Sequence, residues 1–561
     1  MPQDLFTLKK TAEKLNEEVK NAVINKVVQP SENEFCLTLY NGKQFALVFS
    51  ANGNLSRVAI SYKIHKAPLV APNFCMLLRK HLLGGRIKSV SIACDDRILA
   101  FEIENENEFK ISKTYFLYAE IMNKFSNVFL TYDGVILGSL KNAPQNLDSK
   151  RIILRGAKYV FPEKLNKKRA FCKEELHEVF ANYNGENLDK FLLDNFVDFS
   201  PVSAREISYI CKNYSLSPAV AVEKFLLKPL CPTIIKTDRI CDFFAFDYEH
   251  LKGERVYYND FLTAQCEYFE ELENEQKNNA YKSYLSSKIS AYEKRYLKKL
   301  SAVEKSEKDF LVGDKFRLYG ELLTANLFRL KKGQKSVFIE NYYQENCPLI
   351  EILLDENLSP QQNAQKYFKK YSKLKKAYEY AIKLKGEILS ELEYLNSIKL
   401  GVENLSNKED YEQIKNELIM QSIINEKSNC NLKKQKTAPS ISNFKVYKVE
   451  DFIIKVGKNN LQNDYLFYKA NKFDIWLHAK NYHSAHAYIL TENKELPNSV
   501  LLTTAEIVAS FSKAKLGDKV EVDYTFKKFV KKQPGAKPGS VFYTDYKTIV
   551  ATPNSHDELL I

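Results

Sequence analysis

VGKNNLQNDYLFYKANKFDIWLHAK (residues 456–480) and FKKFVKKQPGAKPGSVFYTDYKTIVATP (residues 526–553) decide how this chain is read. They join its one tryptophan, Trp476, to its densest lysine run in one short, strand-rich module. Lys527, Lys528, Lys531, Lys532 and Lys537 have few acids nearby, so they can neutralise several phosphates and release the counterions condensed on them. Phe526, Phe529, Phe542, Tyr543 and Tyr546 interleave with the lysines, and a flat ring beside a cation stacks on an unpaired base. Gly535, Pro538 and Gly539 make KKQPGAKPGS a loop, because proline fixes φ and glycine supplies positive φ. The competing reading is a solvated loop over strands whose aromatics fill a core. Like charge is seldom concentrated without a polyanion, which favours an RNA-binding module.

The rest of the composition fits that partner. The chain has 561 residues, room for about three or four domains, and a formal net charge of +13. No stretch approaches the ~20 apolar residues that span a bilayer, and MPQDLFTLKK lacks the apolar core of an export signal, so no membrane association and a cytoplasmic location are expected. Ten scattered cysteines form no C-x-x-C spacing and read as small buried side chains in a reducing compartment. His478, His483 and His486 lie near Asp474, but an extended segment alternates faces and sets no helical i, i+4 pair. They read as polar or RNA-facing groups, and no metal or cofactor is expected.

Residues 1–170 form an α+β domain: FCLTLYN, QFALVFSA, RVAISYK, SVSIACDDRILAFEIE and KTYFLYAEIM alternate as half-buried strands do, around a helix in NFCMLLRKHLLGG stopped by Gly84 and Gly85. Residues 171–265 read as mainly helical, with Ser200 capping a helix that Pro201 opens; two short helices and a tight turn suggest a helix-hairpin-helix unit. Across 266–430, Tyr281, Leu285, Ile289, Tyr292, Tyr296, Leu300 and Val303 form one apolar stripe, and Tyr367, Tyr371, Leu374, Tyr378, Ala381, Ile388, Leu392 and Leu395 another. Two antiparallel helices zipped along these stripes make an arm, with a lobe at about 310–360 holding a further helix in LYGELLTANLFRL and a hairpin from SVFIENYY and PLIEILLDE. A linker at 431–442 precedes the RNA-binding module at 443–561.

In CDDRIL, Asp96 and Arg97 adjoin in a predicted strand, where they point to opposite faces or flank a turn. Arg97 suits a bidentate contact with phosphate or a base edge, and Asp96 can accept from a base amine; taken alone, the pair is ordinary surface charge. No Walker-type phosphate loop or G-x-S-x-G elbow accompanies it.

The run Gly457, Asn459, Asn460, Gln462, Asn463, Asp464, followed by DIWLHAK (474–480), VDYT (522–525) and the GAKPG loop, resembles the C-terminal RNA-binding domain of the NFACT family of ribosome quality-control factors. Family-like stretches recur in NFCMLLRKHLLGGRI (73–87), SPVSAREI (200–207), YGELLTANL (319–327) and LSPQQNAQKYFKKYSKLKKA (358–377). The resemblance implies a multidomain α+β protein: a glycosylase-like N-terminal domain, a helix-hairpin-helix domain, a long antiparallel coiled-coil arm with a tip lobe, and the RNA-binding domain. Asp96 and Arg97 match the pair the family uses to recruit tRNA, and Glu120, Ile121 and Met122 match its E-I/L-M motif. Asn123, Lys124 and Phe125 then depart from a Gly-Arg-His-like run. Asn459, Asn460, Asp474, Trp476, His478 and Lys480 join the five lysines as implied RNA or ribosome contacts.

By the same resemblance, the protein binds an obstructed large ribosomal subunit, through rRNA and stalk-base proteins, while the subunit still carries peptidyl-tRNA. It brings charged tRNA, in bacteria tRNA-Ala, and the small ribosome-binding protein RqcP is an implied partner. The subunit's own peptidyl-transferase centre then adds a tail without mRNA, which marks the chain for degradation. Such a protein positions reactants and is not itself an enzyme. Two alternatives stand beside this reading. One is a fibronectin- or fibrinogen-binding adhesin, a role attached to some family members and disfavoured by the missing export signal. The other is a DNA glycosylase with Pro2 as a secondary-amine nucleophile, disfavoured because Gln3-Asp4-Leu5-Phe6 is not its acid-rich pattern and terminal zinc-finger cysteines are lacking.

Overall fold

The computed structural model describes residues 4–63, 66–106, 111–142, 151–163, 166–185, 187–237, 241–425, 443–492, 494–515 and 517–561. Pro2 and the linker expected at 431–442 lie outside the described residues. The chain divides into two compact units, Met1–Glu275 and Gln276–Ile561.

In the first unit Asp4 caps α1 (Leu5–Val19), its carboxylate accepting from the Thr7 N–H at 2.9 Å. There follow β1 (Val23–Ser31), β2 (Glu34–Asn41), β3 (Lys43–Ser50), β4 (Arg57–Ser61), α2 (Asn73–Leu82), β5 (Arg86–Ile92), β6 (Ile98–Glu106), β7 (Ser112–Glu120), β8 (Asn127–Tyr132) and β9 (Val135–Ser139). The nine strands form one antiparallel sheet in the order β4-β3-β2-β1-β5-β6-β7-β8-β9. Period-two alternation turns Phe35, Leu37 and Leu39 of β2 to one face, where they join Leu8, Leu15 and Val19 of α1 and Leu78 and Leu82 of α2 in a common core. Gly84, at φ +82°, ends α2 in a conformation that costs any residue with a Cβ. The stretch SVSIACDDRILAFEIE is two strands, because Cys94 and Asp95 take left-handed φ values of 56° and 50° and turn the chain between β5 and β6.

Residues 171–265 are less uniformly helical than their sequence reads. Helices α3 (Lys173–Phe180), α4 (Leu188–Asn195), α5 (Pro201–Asn213) and α6 (Pro218–Leu227) are followed by an antiparallel sheet of β10 (Thr233–Lys236), β11 (Cys241–Phe244) and β12 (Glu254–Tyr257). Ser200 and Ser203 form a reciprocal cap on α5, and the Ser203 hydroxyl donates to Asp4 at 2.8 Å, tying α5 to the start of α1. The cysteines are not uniformly interior: Cys36, Cys75 and Cys266 are buried, whereas Cys231, Cys241 and Cys347 are exposed.

The second unit takes up the long helix α7 (Phe261–Ala325), then β13 (Ser336–Glu340), β14 (Leu349–Leu353), α8 (Pro360–Glu403) and α9 (Lys408–Met420). Leu285 and Ile289 cluster with Leu395 and Ile398, Phe310 stacks on Tyr378 at 4.5 Å, and Phe316 stacks on Tyr367 at 5.9 Å, a descending register that makes α7 and α8 antiparallel. LYGELLTANLFRL is no separate helix: α7 runs to Ala325 without a break. β13 and β14 pair as the expected hairpin.

The chain closes with β15 (Lys445–Val449), β16 (Phe452–Val456), α10 (Asn460–Lys469), β17 (Ile475–Ala479), β18 (Ala487–Leu490), α11 (Asn498–Ser510), β19 (Val520–Phe526), β20 (Val530–Lys531), β21 (Phe542–Tyr543) and β22 (Lys547–Ala551). Six of these strands form an antiparallel sheet, β15-β16-β18-β17-β19-β22. Alternation gives it two unlike faces. Ile475, Leu477, Ala487, Ile489 and Val522 pack on Val500, Ile507 and Val508 of α11, while Trp476 and Tyr488 turn to the other face and pack on Leu466 and Phe467 of α10.

Candidate nucleic-acid interfaces

Two regions carry the expected contacts, one in each unit. In the first, Asp96 and Arg97 sit in the β5–β6 turn, both partly exposed, on the wall of a cleft of about 830 Å³. The Asp96 carboxylate accepts the Arg97 N–H at 2.7 Å, and its carbonyl accepts the Ile98 N–H at 2.7 Å. The Arg97 carbonyl in turn accepts the Ile121 N–H at 2.8 Å, so the fold brings the Asp-Arg pair and the Glu-Ile-Met motif together.

The two motifs differ in what they expose. Glu120 is buried, held by the Arg151 guanidinium (Nη1 at 3.0 Å) and the Tyr159 hydroxyl (2.8 Å), with Tyr159 stacked on Tyr118 at 4.5 Å. Burial and the adjoining carboxylate push the Tyr159 phenol well above its usual value, which keeps it a hydrogen donor. Ile121 is buried as well, and the Met122 N–H donates to Ser126 Oγ at 2.7 Å. Glu120 and Ile121 therefore brace the turn from behind, whereas Met122 is partly exposed.

Asn123, at φ 52°, then opens a 3₁₀ turn that leaves Phe125 72 % exposed with Lys124 Nζ 4.9 Å from its ring. The departure from the family pattern thus places an exposed ring and a cation next to the motif. The cleft also draws in Lys167, Lys168 and Arg169, a basic triplet with no motif around it to mark it in the sequence. Arg169 is engaged with Glu175 at 2.9 Å and Asp95 at 3.5 Å.

In the second unit the lysines divide by environment. Lys532 pairs with Asp464 and Lys537 with Glu391, and Lys537 also lies 4.4 Å from the centre of the Tyr394 ring. These two latch their loop to α10 and α8. Lys527 sits half-buried 3.7 Å from the centre of the Phe467 ring, and burial lowers its pKa. Lys480 pairs with Glu521 at 3.1 Å. Lys528 and Lys531 project to solvent among Phe526, Phe542 and Tyr546, each more than 40 % exposed, with Lys531 opposite Phe542 in the short β20–β21 ribbon. This basic and aromatic patch keeps the composition expected for single-stranded RNA.

Neutralising Lys528 and Lys531 together as glutamines should make the logarithmic salt dependence of RNA binding shallower, by about 0.7 for each phosphate that is no longer neutralised. A slope equal to that of the unsubstituted protein, measured by binding titrations over a range of salt, would remove the patch from the interface.

Four expected contacts are interior. Trp476 has no exposed surface, and its ring packs against Tyr543, His478 and His486, so no base can stack on it as it stands. The Asp474 carboxylate accepts from the Asn471 and Thr491 N–H groups. Asn459 caps α10 and donates to Gln413 at 3.0 Å, while Asn460 donates to Glu417 at 2.8 Å and to Ser397 at 3.0 Å.

With Lys458, which reaches Asp410 at 2.7 Å, and Gln462, which donates to Asp410 at 3.2 Å, these residues seat α10 on α9. Asp410, Gln413 and Glu417 recur at i, i+3 and i+7, one polar stripe of α9. Burial raises the Glu417 carboxyl to about 7 against the lowering effect of the Tyr394 hydroxyl and the Asn460 amide.

His478 is only partly exposed, and burial pushes it down to about 4; His486 is buried and lies well below its usual value for the same reason. Both rings are neutral at pH 7. Among the described residues no group of three or more His, Cys, Asp or Glu side chains is arranged to hold a metal ion, and no helix is long and apolar enough to cross a membrane.

Residues 4–437 match the NFACT N-terminal and middle domains, and residues 442–545 match the NFACT protein RNA binding domain. The chain is 34% identical over 572 residues to the Rqc2 homolog RqcH of Bacillus subtilis, covering 98% of each protein. It is 32% identical over 567 residues to the Rqc2 homolog RqcH of Streptococcus pneumoniae D39, covering 99% of this chain and 98% of that one. A solved structure of the N-terminal part of the fibronectin/fibrinogen-binding protein from Streptococcus suis covers 48% of this chain and 99% of its own, at 23% identity and a TM-score of 0.44.

Proposed function

The chain belongs to the NFACT family, and from that premise we propose that it is a ribosome quality-control factor that tails stalled nascent chains. The observation that carries the reading is the match to RqcH at 34% identity over 98% of both chains. Support comes from the RNA-binding domain and from the exposed lysine and aromatic patch around Lys528 and Lys531.

The factor binds an obstructed large subunit that retains peptidyl-tRNA, and Asp96 and Arg97 hold an incoming charged tRNA, tRNA-Ala in this reading. Peptide bonds form in the subunit's own peptidyl-transferase centre while the factor supplies proximity. RqcP is the proposed small partner. Further proposals are the division at 170, 265, 430 and 442, the glycosylase-like and helix-hairpin-helix character of residues 1–265, and a coiled-coil arm whose lobe at 310–360 contacts the stalk base. The adhesin alternative has only the names of solved neighbours behind it.

The test is to isolate tagged protein from its own cells at low ionic strength and sequence the RNA that accompanies it. Large-subunit rRNA with one enriched tRNA is the expected result. Material free of both ribosomal particles and tRNA would refute the reading.

A further inference from the structure

On the Trp476 face of the C-terminal sheet, a cleft of about 510 Å³ opens between α8 and the loop through Gly535 and Gly539. Two side chains on its floor are unusual. Trp476 Nε1 and His486 Nδ1 are buried without a hydrogen-bond partner, in rings that meet edge to face at 5.5 Å. A buried polar atom left unmade costs about 1–3 kcal/mol, so a stable fold seldom keeps two side by side without use for them.

The roof can move. Gly535 and Gly539 hold φ values of +77° and +76°, and the loop is tethered by the Lys537–Glu391 and Lys532–Asp464 ion pairs together with a bond from the Gly539 N–H to Asp464 at 2.9 Å. RNA phosphates compete for those same lysines.

We propose that this cleft binds one unpaired nucleobase, whose edge takes the Trp476 N–H and pairs with His486 Nδ1 once the loop lifts. The inference rests on the RNA-binding reading above. A neutral planar ligand fits the floor, because burial keeps the His478 and His486 rings unprotonated. A base also offers acceptors and donors on one edge, matching an indole donor beside an imidazole of either tautomer. The volume lies within the usual range for small-ligand sites, about 300–1,000 Å³.

Because Trp476 is the chain's one tryptophan, its fluorescence reports on this cleft alone. The full-length protein is titrated with AMP, GMP, CMP and UMP, and with a single-stranded RNA pentamer, after correction for absorbance. A saturable change with at least one ligand is expected. A pentamer at least tenfold tighter than its mononucleotides assigns an RNA base, and equal affinities assign a free nucleotide as the source of the same chemistry.

His486→Leu should weaken binding about tenfold through loss of one hydrogen bond. Glu391→Gln, which frees the latch yet leaves Lys537 for phosphate, should tighten it about threefold. Opposite signs exclude general misfolding, and Glu391→Gln alone suffices if the other variant does not fold. No saturable change with any ligand, or two variants with unchanged affinity, would overturn the proposal. A positive titration beside co-purification that yields no ribosomal RNA would sink the function and keep the site; the reverse result would do the opposite.

Discussion

Replacing Asp96 and Arg97 together by alanine is expected to weaken tRNA association about 10- to 100-fold, the loss of one charge-assisted hydrogen bond at about 1.5–3 kcal/mol, and to abolish tail synthesis. The turn should survive the change. Its shape is set by backbone bonds from Asp96 N to Ala93 O (3.3 Å), Ile98 N to Asp96 O (2.7 Å) and Ile121 N to Arg97 O (2.8 Å), none of which uses the deleted side chains. The Asp96 carboxylate bond to the Arg97 N–H is lost, but it lies beside these backbone bonds and not among them. Co-sedimentation with the large subunit should therefore hold while tRNA drops out. Wild-type levels of tRNA and of tails in the double variant would strip the pair of its proposed role.

Lys458→Ala should be the most destabilising single change in the second unit. Lys458 and Asp410 are both buried side chains 2.7 Å apart, and removing the ammonium strands a carboxylate with 1 % of its surface exposed. Breaking such a pair costs about 3–5 kcal/mol, whereas replacing both partners by apolar residues of similar size is far milder. Thermal unfolding followed by Trp476 emission should show a large loss for Lys458→Ala and partial recovery in Lys458→Met with Asp410→Leu. A single variant as stable as the parent would mean that α9 does not hold the C-terminal module.

Strand alternation in FCLTLYN or DIWLHAK is a local signal, and each became the strand it suggested, β2 and β17. Partners distant in sequence are a different matter. The polar run Lys458-Asn459-Asn460 has the composition of an RNA contact and also that of a buried polar seam, and only the presence of Asp410, Gln413 and Glu417 some fifty residues upstream separates the two. Glu120 was opaque for the same reason, since Arg151 and Tyr159 lie on a later loop. LYGELLTANLFRL reads as a helix of its own, yet α7 runs through it, and the glycines of α7 serve close packing: a Cβ at Gly320 would come within 2.9 Å of the Phe368 ring, and one at Gly313 still closer to Leu374. The lysine run was legible as charge, but the division between solvent-facing Lys528 and latched Lys537 depends on acids from α8 and α10.

The seam between α9 and α10 has one further consequence. Apolar contacts tolerate sliding, but paired donors and acceptors at three positions along one face of α9 accept a single seating, since a shift of one residue leaves every partner facing the wrong atom. The helix α9 and the C-terminal module that carries Lys458 are therefore locked in one register, and neither can slip along the other without breaking all three pairs at once.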